Sequence, residues 1–363
     1  TPEKDAGRAE LVERLAASVY KQGEAARSAG QAREAVGHFA RVASVAPQSG
    51  VRATAQYDAA AALIGLKDWD GATRTLEDFR QRYPNHPLQD EVGAKLAVAY
   101  LEKQQWAQAA GEFERVATAK KDPQVARAAL WQAAELYEKA GSRASAGRSY
   151  EAYSKQYPQP LETALEARFR LARIAKAEGN AARELSLMKD IFQADQTGGS
   201  ARTDRTRYLG ASAALVMAEP ALDAYRKVAL VEPLAKQLKL KKTKMEELLK
   251  AYAVASDYGV ADVSTAATFH IASLYQDFGK AMLGSQRPKK LSKVELEQYN
   301  VLLEEQAYPF EEKAIELHEL NARRAASGIY DPWVRNSFAA LGELRPVRYG
   351  KTERSVGVLD AIR

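Results

Sequence analysis

The chain has 363 residues, 28% of them charged, with 53 Lys and Arg against 47 Asp and Glu, a formal net charge of +6 and a pI near 9.1. That length admits two or three ordinary domains or one long repeat array, and so mild a basic excess attracts an acidic partner only where the cations cluster. Cysteine is absent, which excludes a disulfide framework, a thiol nucleophile and thiolate metal sites.

The four histidines, His38, His86, His270 and His318, lie far apart with no metal-ligand spacing. No apolar run reaches the roughly 18 residues of a membrane-spanning helix. The chain starts at Thr1 with neither Met nor an apolar leader, and reads as a trimmed or mature fragment.

In chain order, helix is expected from about Asp5, running into a helix–turn–helix hairpin over Val19–Pro47. The turn at Gly30 is followed by equivalent turns at Lys67, Gln104, Gly141 and Gly179, at spacings of 37, 37, 37 and 38 residues. Five repeats therefore start near Ala16, Ala53, Asp90, Arg127 and Leu165. Each first helix has a small residue where its partner helix approaches: Gly23, Ala60, Ala97, Ala134 and Ala172. Each second helix needs a small residue facing back, which Ala35, Ala72, Ala109 and Ala146 supply and Glu184 does not. The large residue one turn later is Phe39, Leu76, Phe113, Tyr150 or Met188, and Trp69 and Trp106 cap the hairpin core after the turn. Pro47, Pro84 and Pro158 end second helices, with Pro123 two residues late, because proline cannot continue the backbone bonding.

A small residue in helix one, then Ala, a large apolar residue and Pro in helix two, resembles the tetratricopeptide repeat. The links RQRYPNHP and SKQYPQP are similar to those of bacterial cell-envelope members of that superfamily, the barrel-assembly lipoprotein of the outer membrane and the periplasmic protein of the Tol–Pal system. The resemblance covers roughly residues 16–195. It implies an all-α solenoid, a right-handed superhelix of hairpins, whose concave side holds a peptide or partner helix.

The stretch QTGGSARTD (Gln196 to Asp204) is the expected boundary, so residues 1–199 form the repeat solenoid, 200–345 divergent helical hairpins continuing it, and 346–363 a basic tail. Its Gly-Gly-Ser lacks the Lys-Ser/Thr of a phosphate loop. Beyond it, helices are expected over Asp204–Glu219, from Pro220 to about Leu238, over Lys244–Tyr258 and over Ser264–Leu283. Ser292 with Glu295 signals a capping box, Pro309 restarts a helix to about Ala326, and Asp331-Pro332 opens a last helix ended by Pro346. The closing phrase IYDPWVRNSFAALGEL is distantly similar to envelope repeat proteins of bacterial motility machinery.

No Ser/His/Asp or Cys/His arrangement, HExxH motif or paired carboxylates stand out, so no catalytic residue, metal or cofactor is expected. Position five of the repeats holds Tyr20, Tyr57, Ala94, Trp131 and Phe169. Two readings stand for this aromatic row: a ligand stripe on the inner surface, or packing between neighbouring first helices. The inner positions near it carry Glu24, Asp58, Glu135 and Glu138 early, and Arg170, Arg173 and Lys176 late, so carboxylate capture is confined to the fifth repeat. From Arg226 to Lys244 seven cations stand against Glu232 alone, and Lys236, Lys239, Lys241, Lys242 and Lys244 form a candidate basic patch for phosphates, anionic lipid or an acidic protein face. The competing reading is a solvated loop and helix end. The run has no aromatic to stack a base, so nucleic acid is not expected.

The function expected is therefore a non-enzymatic protein-interaction scaffold with envelope protein or peptide partners, periplasmic or outer-membrane-associated. The alternatives are a cytoplasmic peptide-binding adaptor, or an accessory region of a larger catalytic or membrane protein.

Overall fold

The structure, a computed structural model, describes residues 6–119 and 122–350. Among the described residues it is helical throughout, with seventeen α-helices and two short 3-10 turns. The chain divides into two compact units after Pro158. The first holds α1 (Ala6–Ser28), α2 (Ala32–Val45), α3 (Arg52–Gly65), α4 (Trp69–Arg82), α5 (Gln89–Glu102), α6 (Trp106–Ala119), α7 (Pro123–Lys139) and α8 (Arg143–Gln156). The second holds α9 (Leu161–Ala177), α10 (Ala181–Gln196), α11 (Asp204–Met217), α12 (Glu219–Arg226), α13 (Leu234–Ser256), α14 (Ala261–Leu283), α15 (Lys293–Arg324), α16 (Pro332–Leu344) and the single turn α17 (Pro346–Tyr349).

The hairpin turns repeat one backbone solution. Gly30, Lys67, Gln104, Gly141 and Gly179 all have positive φ, from 56° to 76°. The residue after each donates its N–H back across the turn: Gln31 to Ala26 O, Asp68 to Leu63 O, Gln105 to Tyr100 O, Ser142 to Tyr137 O and Asn180 to Ala175 O. This is the left-handed helix stop, in which the bond satisfies a carbonyl the helix leaves open. Glycine takes the conformation freely at three of the five positions, whereas Lys67 and Gln104 hold it against the Cβ cost.

The small positions are where helices nearly touch. A Cβ on Gly23 would stand 2.6 Å from two ring carbons of Phe39. Ala60, Ala134 and Ala172 have no exposed surface, and neither do Ala35, Ala72, Ala109 and Ala146 across from them. Glu184, the misfit, is also buried, because Lys176 of α9 reaches it at 3.3 Å. An ion pair thus occupies the place where four repeats put a methyl group.

Several expected boundaries shift. Pro123 does not end a second helix but opens α7, with Asp122 accepting from Gln124 N and Val125 N. The helix expected from Pro220 to Leu238 stops at Arg226, and a new one runs unbroken from Leu234 to Ser256. No Gly or Pro interrupts that stretch, so the lysine-rich run lies within α13. Pro309 does not restart a helix either, because α15 passes through it. Proline removes one backbone bond there, and packing on both sides of it, by Ala307 and by Phe310 at 4.6 Å from the Phe278 ring, holds the helix together. The capping box at Ser292 and Glu295 forms, and Asp331 caps α16. Of the expected basic tail, residues 351–363 lie outside the described residues.

Candidate functional site

In the first unit the aromatic row ties first helices together. The Tyr20 hydroxyl donates to Asp58 Oδ2 at 2.5 Å, joining α1 to α3, while its ring lies 5.3 Å from Phe39. The Tyr57 hydroxyl donates to Glu91, joining α3 to α5, and its ring meets Phe79 edge-on. Burial, and then the accepting carboxylate, push both phenols above their ordinary range, so they stay protonated donors. Trp131 turns instead to its own hairpin partner and packs edge-on against Tyr150 and Tyr153 of α8. In the second unit Phe169 packs on a cluster with Leu165, Met188 and Ile191. All four aromatics are half-buried.

The position that departs from the row is Ala94. Where Tyr57 spans from α3 to α5, Ala94 has no ring to span from α5 to α7, and a cleft opens there. Two adjoining cavities of about 510 and 430 Å³ share Gly93, Glu112, Val116 and Val125. One wall is Ala94, Ala97, Val98 and Leu101 of α5, the other Ala128, Ala129 and Gln132 of α7, and Phe113 of α6 forms the floor. Val98, Val116 and Val125 are 48%, 37% and 53% exposed, unusual for three valines lining one groove. The other end carries charged side chains. Arg80 grips Glu112 through two bonds of 2.6 Å, with Arg115, Asp90 and Asp122 around them. Both partners of that pair are largely buried, so it is a fixed part of the wall. This combination, an apolar trough with a charged end, accepts an apolar side-chain row from a peptide or helix. Sequence reasoning did not find these residues. The signal was present in the gap at Ala94, beside Gly93, in an otherwise aromatic row.

The cationic candidates have different surroundings. Arg170 pairs with Glu166, and Lys176 with Glu184, so both serve the fold of the second unit. Arg173 is exposed and has no ion pair among the described residues. Lys241 leaves the basic patch altogether. It is 5% exposed, its Nζ donates to Tyr225 O at 3.2 Å and Val228 O at 2.9 Å, and it lies 4.0 Å over the Tyr225 ring. It thereby satisfies carbonyls at the end of α12. Burial pulls its ammonium below the ordinary lysine range, with Asp277 opposing. Lys244 pairs with Glu247 at 2.7 Å, whereas Lys236, Lys239 and Lys242 are exposed and without an ion pair among the described residues. No group of side chains suited to a metal ion is found among the described residues, and no helix among them is long and apolar enough to cross a membrane.

Hairpins closed by left-handed turns at Gly30, Lys67, Gln104, Gly141 and Gly179, with small residues where the paired helices meet, are hairpins of the tetratricopeptide type, and residues 128–160 match a family profile for that repeat. More particularly, residues 13–142 match the family described as outer membrane lipoprotein, YfiO. Both families are generally non-catalytic, and tetratricopeptide repeats act as protein-interaction scaffolds. No curated protein matches the chain. Among solved structures it is similar to one of Naa15/Naa10 bound to HypK-THB, at 15% identity and a TM-score of 0.42, over 93% of this chain and 55% of that one, so it spans little more than half of that relative's length. It is also similar to a tetratricopeptide repeat protein from Parabacteroides merdae (13% identity, TM-score 0.29, 80% and 96% of the two chains) and to yeast Tom70 (11%, 0.29, 92% and 70%).

Proposed function

We propose that this protein is a non-enzymatic interaction scaffold in a bacterial envelope complex, associated with the outer membrane, and that it holds a partner peptide or helix on the face formed by its first helices. The observation that carries this reading is the cleft between α5 and α7, where Val98, Val116 and Val125 are exposed around a fixed Arg80–Glu112 pair. An apolar row on the partner fills the trough, and its charged end meets Arg115 or the carboxylates beside it. Tyr20 and Tyr57 act by tying neighbouring first helices together, and Trp131 by holding α7 on α8. In the second unit, Phe169 and the unpaired Arg173 offer a further contact for an acidic group. In this scheme residues 1–199 form the repeat solenoid that supplies the recognition surface, and 200–345 are divergent helical hairpins that continue it. The match of residues 13–142 to the outer membrane lipoprotein family supports the envelope location.

The test is site-specific crosslinking in the native organism, with a photoreactive side chain at Val98 or Val125 and a control at the exposed Val347. One protein captured from both cleft positions and not from the control is the expected result. Equal capture at Val347, or none at the cleft, would remove the cleft as the site.

A further inference from the structure

The second unit brings together two lysine-rich segments more than fifty residues apart in sequence. Gln286 N donates to Leu230 O at 2.9 Å, and Glu232 N donates to Gln286 Oε1 at 2.9 Å. These two bonds fasten the loop after α14 beside the segment that leads into α13. Lys289, Lys290 and Lys293 follow the fastened point on one strand of chain, and Lys227, Lys236, Lys239 and Lys242 flank it on the other. All seven are exposed and none has an ion pair among the described residues. The carboxylates in or next to the two segments are Glu232, Glu295 and Glu297, and Glu295 is committed to capping α15.

The apolar side of α13, with Leu234, Leu238, Met245 and Leu248, packs into the core with Leu230 and Met282. The opposite side must face water, yet it is not wholly polar. Leu240 is 43% exposed between the lysines, with Val231 at 45% and Val294 at 63% on the flanking segments. Farther along α13 the exposed face turns acidic at Glu246 and Glu247, so the positive surface is confined to the fastened end.

We propose that this end of the second unit docks on the surface of an anionic lipid bilayer. Unpaired lysines are hydrated point charges on flexible stems, suited to a smear of phosphate headgroups rather than to one bidentate acidic partner. Their stems, with Leu240, Val231 and Val294, supply the apolar contact that lies at the headgroup–acyl boundary. No exposed aromatic interleaves the lysines in these segments, which disfavours single-stranded nucleic acid.

The experiment is vesicle flotation with the purified chain. Binding is expected to vesicles of phosphatidylcholine mixed with phosphatidylglycerol and not to phosphatidylcholine alone, and it should weaken as salt is raised. Each lysine near such a surface contributes about fivefold, so replacing Lys236, Lys239, Lys289 and Lys290 with Gln together should weaken binding at least about a hundredfold. Leu240→Ser with Val231→Ser should weaken it by about tenfold with the charge intact. All of these side chains are exposed, and circular dichroism should be unchanged. A control replaces Lys21, Lys67, Lys189 and Lys250 with Gln, removing the same charge elsewhere. The proposal is overturned if the control loses as much binding as the patch variant. It is also overturned if the wild-type chain ignores the mixed vesicles, including the case in which it binds polyglutamate instead, which would make this surface a protein contact.

Discussion

Acidification should destabilise the second unit through His318, and the size of the effect follows from its surroundings. The side chain lies in α15 with no exposed surface. Its Nδ1 stands 3.3 Å from Ser337 Oγ, its Nε2 has no hydrogen-bond partner among the described residues, and Phe269 lies against the ring at 5.5 Å. A proton here would place a charge in an apolar wall with no acceptor for the second N–H, and burial pulls the pKa from 6.5 down to about 4. The unfolded chain therefore binds the proton more tightly than the fold does. Stability from this group is complete above pH 6.5 and is lost as the pH falls toward 4. Linkage sets the full loss at about 3 kcal/mol, with about 2 kcal/mol of it gone by pH 5. The assay is urea unfolding from pH 8 to pH 4.5 on the wild-type chain and on His318→Leu, followed by a probe in the second unit. Burial lowers His270 in the same direction, but that contribution is common to both proteins and cancels in the difference. The wild type should lose about 2 kcal/mol more than the variant between pH 8 and pH 5. Parallel curves for the two proteins would refute the assignment.

Other outcomes follow from the repeats. Ala94→Tyr restores the missing ring and fills the cleft, so it should weaken binding of the crosslinked partner at least about tenfold while the melting temperature holds or rises; unchanged binding would place the partner elsewhere. Gly23→Ala sets a methyl group 2.6 Å from the buried Phe39 ring and should cost about 1–3 kcal/mol in denaturant unfolding. Lys67→Gly and Gln104→Gly relieve left-handed backbone at φ 58° and 56° and should each stabilise by about 0.5–1 kcal/mol, whereas Gly141→Ala should destabilise by a similar amount; equal effects at all three positions would show that the turns are not strained.

The hairpins were legible because their constraints are local and periodic. A turn that needs positive φ recurs every 37 or 38 residues, and the helices on either side must meet at a small side chain, so spacing and residue size locate both. Helix boundaries failed where tertiary packing outweighed a local stop signal. Pro309 reads as a restart, but Ala307 and Phe310 anchor α15 on both sides of it. The lysine run reads as a loop because charge and turn composition are alike in sequence, and only packing of Leu234, Leu238 and Met245 makes it a helix.

The sequence by itself determined the repeat, the all-helical class, the crossings at Gly23, Ala60, Ala97, Ala134 and Ala172, and the absence of thiol chemistry. Each depends on one residue type at one place along the chain. Only the tertiary structure decided which face each candidate serves. It bonded Tyr20 to Asp58 and turned Trp131 onto Tyr150 and Tyr153. It withdrew Lys241 beneath α12, opened the cleft beside Ala94, and fastened Gln286 to Leu230 and Glu232. The physical reason is that a side chain's role depends on what lies within a few ångströms of it in space, and for these residues that neighbour stands from about a dozen to more than fifty positions away along the chain.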